Sequence, residues 1–226
     1  MRWKIASAIV LAFFASCAGP SQMADDPCRV FDELPEPYLR VTTTEELTPR
    51  DSEARCVDSL KERVSRSSDT LTISLVCDST ITLVDIEDSI NVESNVAYAL
   101  VNWHSAIDSY EINMIHWEGS TTMLLNSHSG KCTYLIGSPV LSPDNHYFIA
   151  SNWDLFSNYS ATGFQVWTVE SDSLALQWEV LTEDWGPVAT HWIDSSSFIM
   201  QAIPVSGSPV RCVKAIRRNG KWEFDS

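Results

Sequence analysis

The chain has 226 residues, with 15 Lys and Arg against 30 Asp and Glu, and a formal net charge of −15. That balance argues against nucleic acid, whose phosphates demand a basic surface, and against adhesion to anionic lipid headgroups. It is compatible with a basic partner, a bound cation, or an acidic surface that keeps a secreted protein soluble.

The first element is an address. Arg2 and Lys4 precede an apolar run, Ile5–Ala15, interrupted only by Ser7. The run is too short to span a bilayer as a helix but has the length of a signal-peptide core. It ends at Phe14-Ala15-Ser16-Cys17, which resembles the bacterial lipoprotein signal, with small residues before a cysteine that is lipidated after cleavage. The resemblance implies residues 1–16 as signal peptide and Cys17 as lipidation site. The alternative is an ordinary secretory signal cut near Ala18. Residues 17–27 then form a tether, and Ala18 after the cysteine implies an outer-membrane lipoprotein facing the periplasm or the cell surface. Cleavage removes two cations from the 15 and no acid, so the mature chain carries 13 basic and 30 acidic side chains, about −17.

Residues 28–68 read as an N-terminal arm and a helix. Two prolines and no periodicity make residues 28–43 an extended arm. Thr48, Pro49 and Asp51 form a helix start, with a hydroxyl cap and proline at the first helical position. Ala54, Val57, Leu60 and Val64 then recur at helical spacing, which predicts a helix over residues 49–65. Besides Cys17 there are Cys28, Cys56, Cys77, Cys132 and Cys212. In an oxidising compartment this count predicts up to two disulfides and one leftover thiol, and a Cys28–Cys56 bridge would pin the arm to the helix. No Cys-x-x-Cys spacing supports a zinc or redox site.

Residues 69–226 read as a mainly β domain. Leu71, Ile73 and Leu75 alternate with polar neighbours, and Ile81–Ile86 returns after Asp78-Ser79-Thr80, a hairpin. Strands follow at 96–103, 110–117, 121–126, 131–136, 147–152, 164–169 and 174–181. Asn219-Gly220 joins the last two strands and suits a type I′ turn, whose central residues both need positive φ. Pro139-Val140 recurs as Pro187-Val188, and Asp144-Asn145 and Asp194-Ser195 each precede a strand containing Phe. That period, close to 48 residues, fits one propeller blade. About thirteen strands make three blades and a remainder, so a small or irregular propeller is expected, with a two-sheet β-sandwich as the alternative. Gly137-Ser-Pro-Val-Leu-Ser-Pro-Asp, Tyr147–Ser151, Gly163–Trp167 and Trp185-Gly186-Pro187 together resemble uncharacterised bacterial secreted or lipid-anchored proteins with β-propeller-like (Ser-Pro-Asp) repeats. That resemblance implies a fold and brings no activity.

No residues stand out as catalytic or as a metal site, and no cofactor is expected. His104, His116 and His128 fall at intervals of twelve, as successive strands would place them, at a similar height in the sheet. There is no Gly-x-Ser-x-Gly elbow and no glycine-rich phosphate loop. The loop Asp154–Gly163 is longer than a hairpin needs and carries two aromatics. With Trp153, Asp154, Phe156, Asn158, Tyr159 and Trp185 it makes a candidate binding surface for a protein or glycan; the alternative is that its aromatics fold inward. The reading is therefore an envelope-anchored binding or interaction lipoprotein, in its most concrete form an acidic inhibitor of a basic envelope partner. Its membrane contact runs only through Cys17. A cell-envelope hydrolase with a cryptic site is the alternative.

Overall fold

The structure is a computed structural model that describes residues 29–32, 49–171, 173–206 and 210–225. The signal peptide, Cys17, the tether, the Thr48 cap and most of the arm lie outside the described residues.

The chain is mainly β, with four antiparallel sheets following one another along the sequence. The first holds β1 (Val64–Ser67), β2 (Thr70–Ser74) and β3 (Thr80–Val84); the second, β4 (Val96–His104), β5 (Ser109–His116), β6 (Gly119–Asn126) and β7 (Cys132–Leu135). The third holds β8 (Pro139–Leu141), β9 (Tyr147–Asn152), β10 (Gly163–Val169) and β11 (Leu174–Leu181). The fourth holds β12 (Trp185–Asp194), β13 (Ser197–Pro204), β14 (Arg211–Arg218) and β15 (Lys221–Phe224). Every sheet is a meander, the arrangement of a propeller blade.

The offset repeat has a physical basis. Pro139 and Pro187 sit in β8 and β12, the edge strands that open the third and fourth sheets, where a missing N–H costs no ladder bond. Each faces an alanine of the next strand, Ala150 and Ala202. The turns that follow carry Asp144 and Asp194, which accept hydrogen bonds from their own turns.

Successive sheets pack through apolar cores. Val64, Leu71 and Ile73 of the first sheet meet Leu100, Tyr110, Ile112 and Leu125 of the second. Leu124 and Leu135 of the second meet Phe148 and Ala150 of the third. Ile149, Phe164 and Val166 of the third meet Trp192, Phe198 and Met200 of the fourth. Each fully buried Leu, Ile or Phe contributes roughly 1.5–3 kcal/mol of transfer free energy, so these three interfaces hold the sheets together. Among the described residues no such core joins the first sheet to the fourth, and the succession is open. Four sheets in series replace the two-sheet sandwich considered from sequence.

The N-terminal region departs from expectation in three ways. Within the arm, α1 (Arg29–Asp32) is a single helical turn rather than extended chain, and its Phe31, only 3% exposed, is buried against Ala189 and Ile199 of the fourth sheet. Burial of one aromatic against a distant sheet overrides the local preference for extended chain. Next, α2 spans Pro49–Ser59, not 49–65. The apolar spacing continues, but the Ser59 hydroxyl bonds back to the Cys56 carbonyl (2.7 Å), and Val64 pairs with Ile73 to start the first sheet. Strand pairing wins over helical periodicity, and the β structure begins before residue 69.

The cysteines give the third departure. Cys56, Cys77 and Cys132 are free thiols, so the Cys28–Cys56 bridge is not formed, and no disulfide joins two described residues; Cys212 is the only described cysteine in a disulfide. The reason is spatial. Cys56 packs against the core of the first and second sheets, whereas α1 sits on the fourth sheet beside Cys212.

Candidate functional site

The Asp154–Gly163 loop is held by its own first residue. Asp154 Oδ2 accepts the backbone N–H groups of Tyr159 (2.9 Å) and Ser160 (2.8 Å), and the Asp154 N–H donates to Thr162 Oγ1 (2.8 Å). Asn158 closes the turn in the left-handed region, at φ 55°, and donates its N–H to the Asp154 carbonyl. Asn152 Nδ2 donates to the Ala161 carbonyl from outside the loop. These bonds fix the backbone without consuming the aromatic side chains.

The six candidate residues therefore divide. Phe156 and Tyr159 point outward, 72% and 58% exposed. Trp153 packs edge-on to Phe156 (ring centroids 5.4 Å apart) and lies against Gly186, where a Cβ would come within 2.6 Å of its ring. Its indole N–H is buried without a partner. Trp185 packs against the core of the third and fourth sheets, and its carbonyl accepts the Thr182 hydroxyl. Asp154 and Asn158 serve the loop's geometry. The surface that the loop offers is Phe156 with Tyr159.

The loop also docks across to the second sheet. Gly119, the first residue of β6, lets Tyr159 and Ser160 approach so closely that a Cβ there would lie 3.0 Å from Ser160 Oγ. Ser160 Oγ donates to the Ser120 carbonyl (3.3 Å). Between the two sheets lies a groove of about 580 Å³, lined by Glu93, His116, Trp117, Glu118, Tyr159 and Ser160 among others. Trp117 is 58% exposed there. Six of the nine tryptophans (Trp103, Trp167, Trp178, Trp185, Trp192 and Trp222) pack in or against the cores, so an open one is notable. Sequence reasoning missed Trp117 because it counted the residue as the end of a strand over 110–117, whereas β5 ends at His116 and Trp117 opens the turn to β6.

A second cavity, about 690 Å³, opens at the opposite end of the same two sheets. Turn residues line it, including Asp108, His128, Lys131, Asp144, His146 and Glu170. His146 Nδ1 lies 3.2 Å from Asp144 Oδ2, and both side chains are solvent-exposed. Burial pushes the Asp144 carboxyl up, but the Ser142 hydroxyl, the His146 N–H and the Ser195 hydroxyl outweigh it and hold it down to about 2.

The histidines do not share a height. His104 ends β4 and pairs with Ser109, His116 ends β5 at the other edge, and His128 lies in the turn after β6. A spacing of twelve is one strand and one turn, so successive positions alternate between ends. His104 Nε2 bonds Glu111 Oε2 at 2.7 Å in the interior. Among the described residues no group of three or more His, Cys, Asp and Glu side chains is placed to hold a metal ion. Compared with models of known families, with curated proteins and with solved structures, the chain has no significant match.

Proposed function

We propose that this chain is a binding module of the bacterial cell envelope, anchored through lipid at Cys17, that engages a protein ligand with its loop over residues 153–162. The observation that carries the reading is the pairing of a backbone pinned by Asp154 with two exposed aromatics, Phe156 and Tyr159. Rigid aromatic anchors gain binding energy without a large ordering cost. The charge of the mature chain favours a basic partner, and an acidic inhibitor of a basic envelope protein is its concrete form. Membership among secreted or lipid-anchored proteins with propeller-like repeats belongs to the same proposal, supported by the Ser142-Pro143-Asp144 turn and the meandering sheets.

A hydrolase is the second reading, favoured by the His146–Asp144 pair in the larger cavity. That pair is open to solvent and lacks the desolvated setting in which catalytic groups are tuned.

The test uses the full anchored chain in its envelope, with a photocrosslinking residue at position 156, 159 or, as a control on the second sheet, 134. A single adduct at 156 and 159, absent at 134 and weakened by high salt, is expected. Equal adducts at all three positions would sink the reading. Radiolabelled palmitate should be lost in Cys17→Ala; label retained in that variant removes the anchor.

A further inference from the structure

We propose that the groove between the second and third sheets receives a basic peptide segment, with a lysine or arginine side chain against Trp117 and Tyr159 and within reach of Glu93 and Glu118. The inference rests on the binding-module reading and names the chemistry of its ligand. Four features of the groove support it.

First, the lining contains two carboxylates and no lysine or arginine. Neither Glu93 nor Glu118 forms an ion pair among the described residues, so both charges remain available to a ligand. Second, the two large aromatics of the lining are exposed in a molecule that packs six of its nine tryptophans in or against its cores. Aromatic faces beside carboxylates attract an organic cation twice, through the ring quadrupole and through direct charge.

Third, the groove is built before any ligand arrives. One wall is the β5–β6 turn and the other is the loop that Asp154 organises. Ser160 joins them through its contacts with Ser120, and Gly119 permits the close approach. Fourth, the net charge of −15 steers a basic segment toward the molecule from a distance. A neutral glycan would use the aromatic faces but gain nothing from the two charges. Charge complementarity selects the cation.

The test is titration of the mature chain with six-residue oligo-arginine and oligo-lysine, read by tryptophan fluorescence and calorimetry at low and high salt. An oligo-glutamate and a neutral N-acetylglucosamine oligosaccharide are titrated alongside. Both basic peptides should bind, more weakly in high salt. Trp117→Ala should loosen oligo-arginine about tenfold, within the range of a desolvated cation–π contact. Glu93→Gln with Glu118→Gln should loosen it by a similar factor and flatten the salt dependence. Asp108→Asn with Glu170→Gln, at the opposite end, should leave affinity unchanged.

Near-ultraviolet circular dichroism identifies any variant that misfolds, and Trp117→Phe, which keeps a ring, should restore much of the binding. Absence of peptide binding overturns the proposal, as does binding indifferent to Trp117→Ala. So does binding weakened equally by the distant pair, which is diffuse attraction. Oligosaccharide binding that survives the two glutamine substitutions assigns the groove to a glycan instead. If the crosslink at 156 and 159 persists while the peptides fail, only the ligand class falls; if both fail, the binding-module reading falls with it.

Discussion

Arg66 shows how one side chain organises the join between the first two sheets. Its guanidinium lies 2.9 Å from Glu53 of α2 and 3.5 Å from Asp85, and it also donates to the Tyr98 carbonyl. Glu53, 2% exposed, accepts the Leu100 N–H at 3.0 Å, and Asp85 accepts the Tyr98 N–H at 2.8 Å. Through these bonds α2 and the end of the first sheet satisfy backbone groups of β4. Removing the cation takes the Arg66 charge from a buried carboxylate, which costs up to about 3–5 kcal/mol. Arg66→Ala should lower the urea midpoint accordingly with an unchanged slope; a loss below about 1 kcal/mol would place the network in the range of solvated surface pairs. None of this was legible in the sequence. Glu53, Arg66 and Asp85 look like ordinary surface charges until the fold brings them together.

At the scale of elements, local chemistry predicted most strands and misjudged the ends of helices. Asn219 and Gly220 adopt φ of 51° and 81°, the pair of positive values that the type I′ turn between β14 and β15 requires. The strands at 147–152 and 174–181 appear with the predicted bounds, because alternation and turn residues are local signals. The helix overran its observed end because the stripe of α2 continues into Val64, which the first sheet claims. The 153–162 loop is an element in its own right, and Asp154 is its keystone. Asp154→Ala should cost about 1–2 kcal/mol, the scale of charged hydrogen bonds discounted for exposure. It should also speed amide exchange at Tyr159 and Ser160 while leaving β9 and β10 protected. Unchanged exchange at those two amides would show that the docking on Ser120, rather than the carboxylate, orders the loop.

At the scale of the molecule, acid response follows from the turn aspartates. Asp144 is held down to about 2 against an ordinary value of 3.8. Asp194 is lowered by the Ser196 N–H and hydroxyl, Asp88 by the Asn91 and Ile90 N–H groups, and Asp225 by Lys214. A depressed carboxyl binds its proton more weakly in the folded state than in the unfolded one. Its contribution is therefore present above about 3.8 and is lost as pH falls toward about 2. Titrating from neutral toward the isoelectric point near 4.5 also relieves self-repulsion of the acidic chain. The melting temperature should be high near pH 4.5 and fall steeply below pH 3.8, with Asp144→Asn removing part of that fall. A flat melting profile across that acid range would contradict the role given to these turns.

The sequence by itself determined the β class, the acidic charge, the meander of most strands and the repeat marked by Pro139 and Pro187, because turns, alternation and proline act over a few residues. It also singled out the 154–163 loop by length and composition. Only the tertiary structure decided that the sheets pack one on the next with no core joining the first to the fourth among the described residues, that α1 seats on the last sheet, and that Cys56 is a free thiol. It alone set Trp185 against the core, left Phe156 and Tyr159 in solvent, and brought Trp117 and Glu118 beside Tyr159. These outcomes depend on which apolar faces meet across distant parts of the chain, and no local pattern specifies that choice.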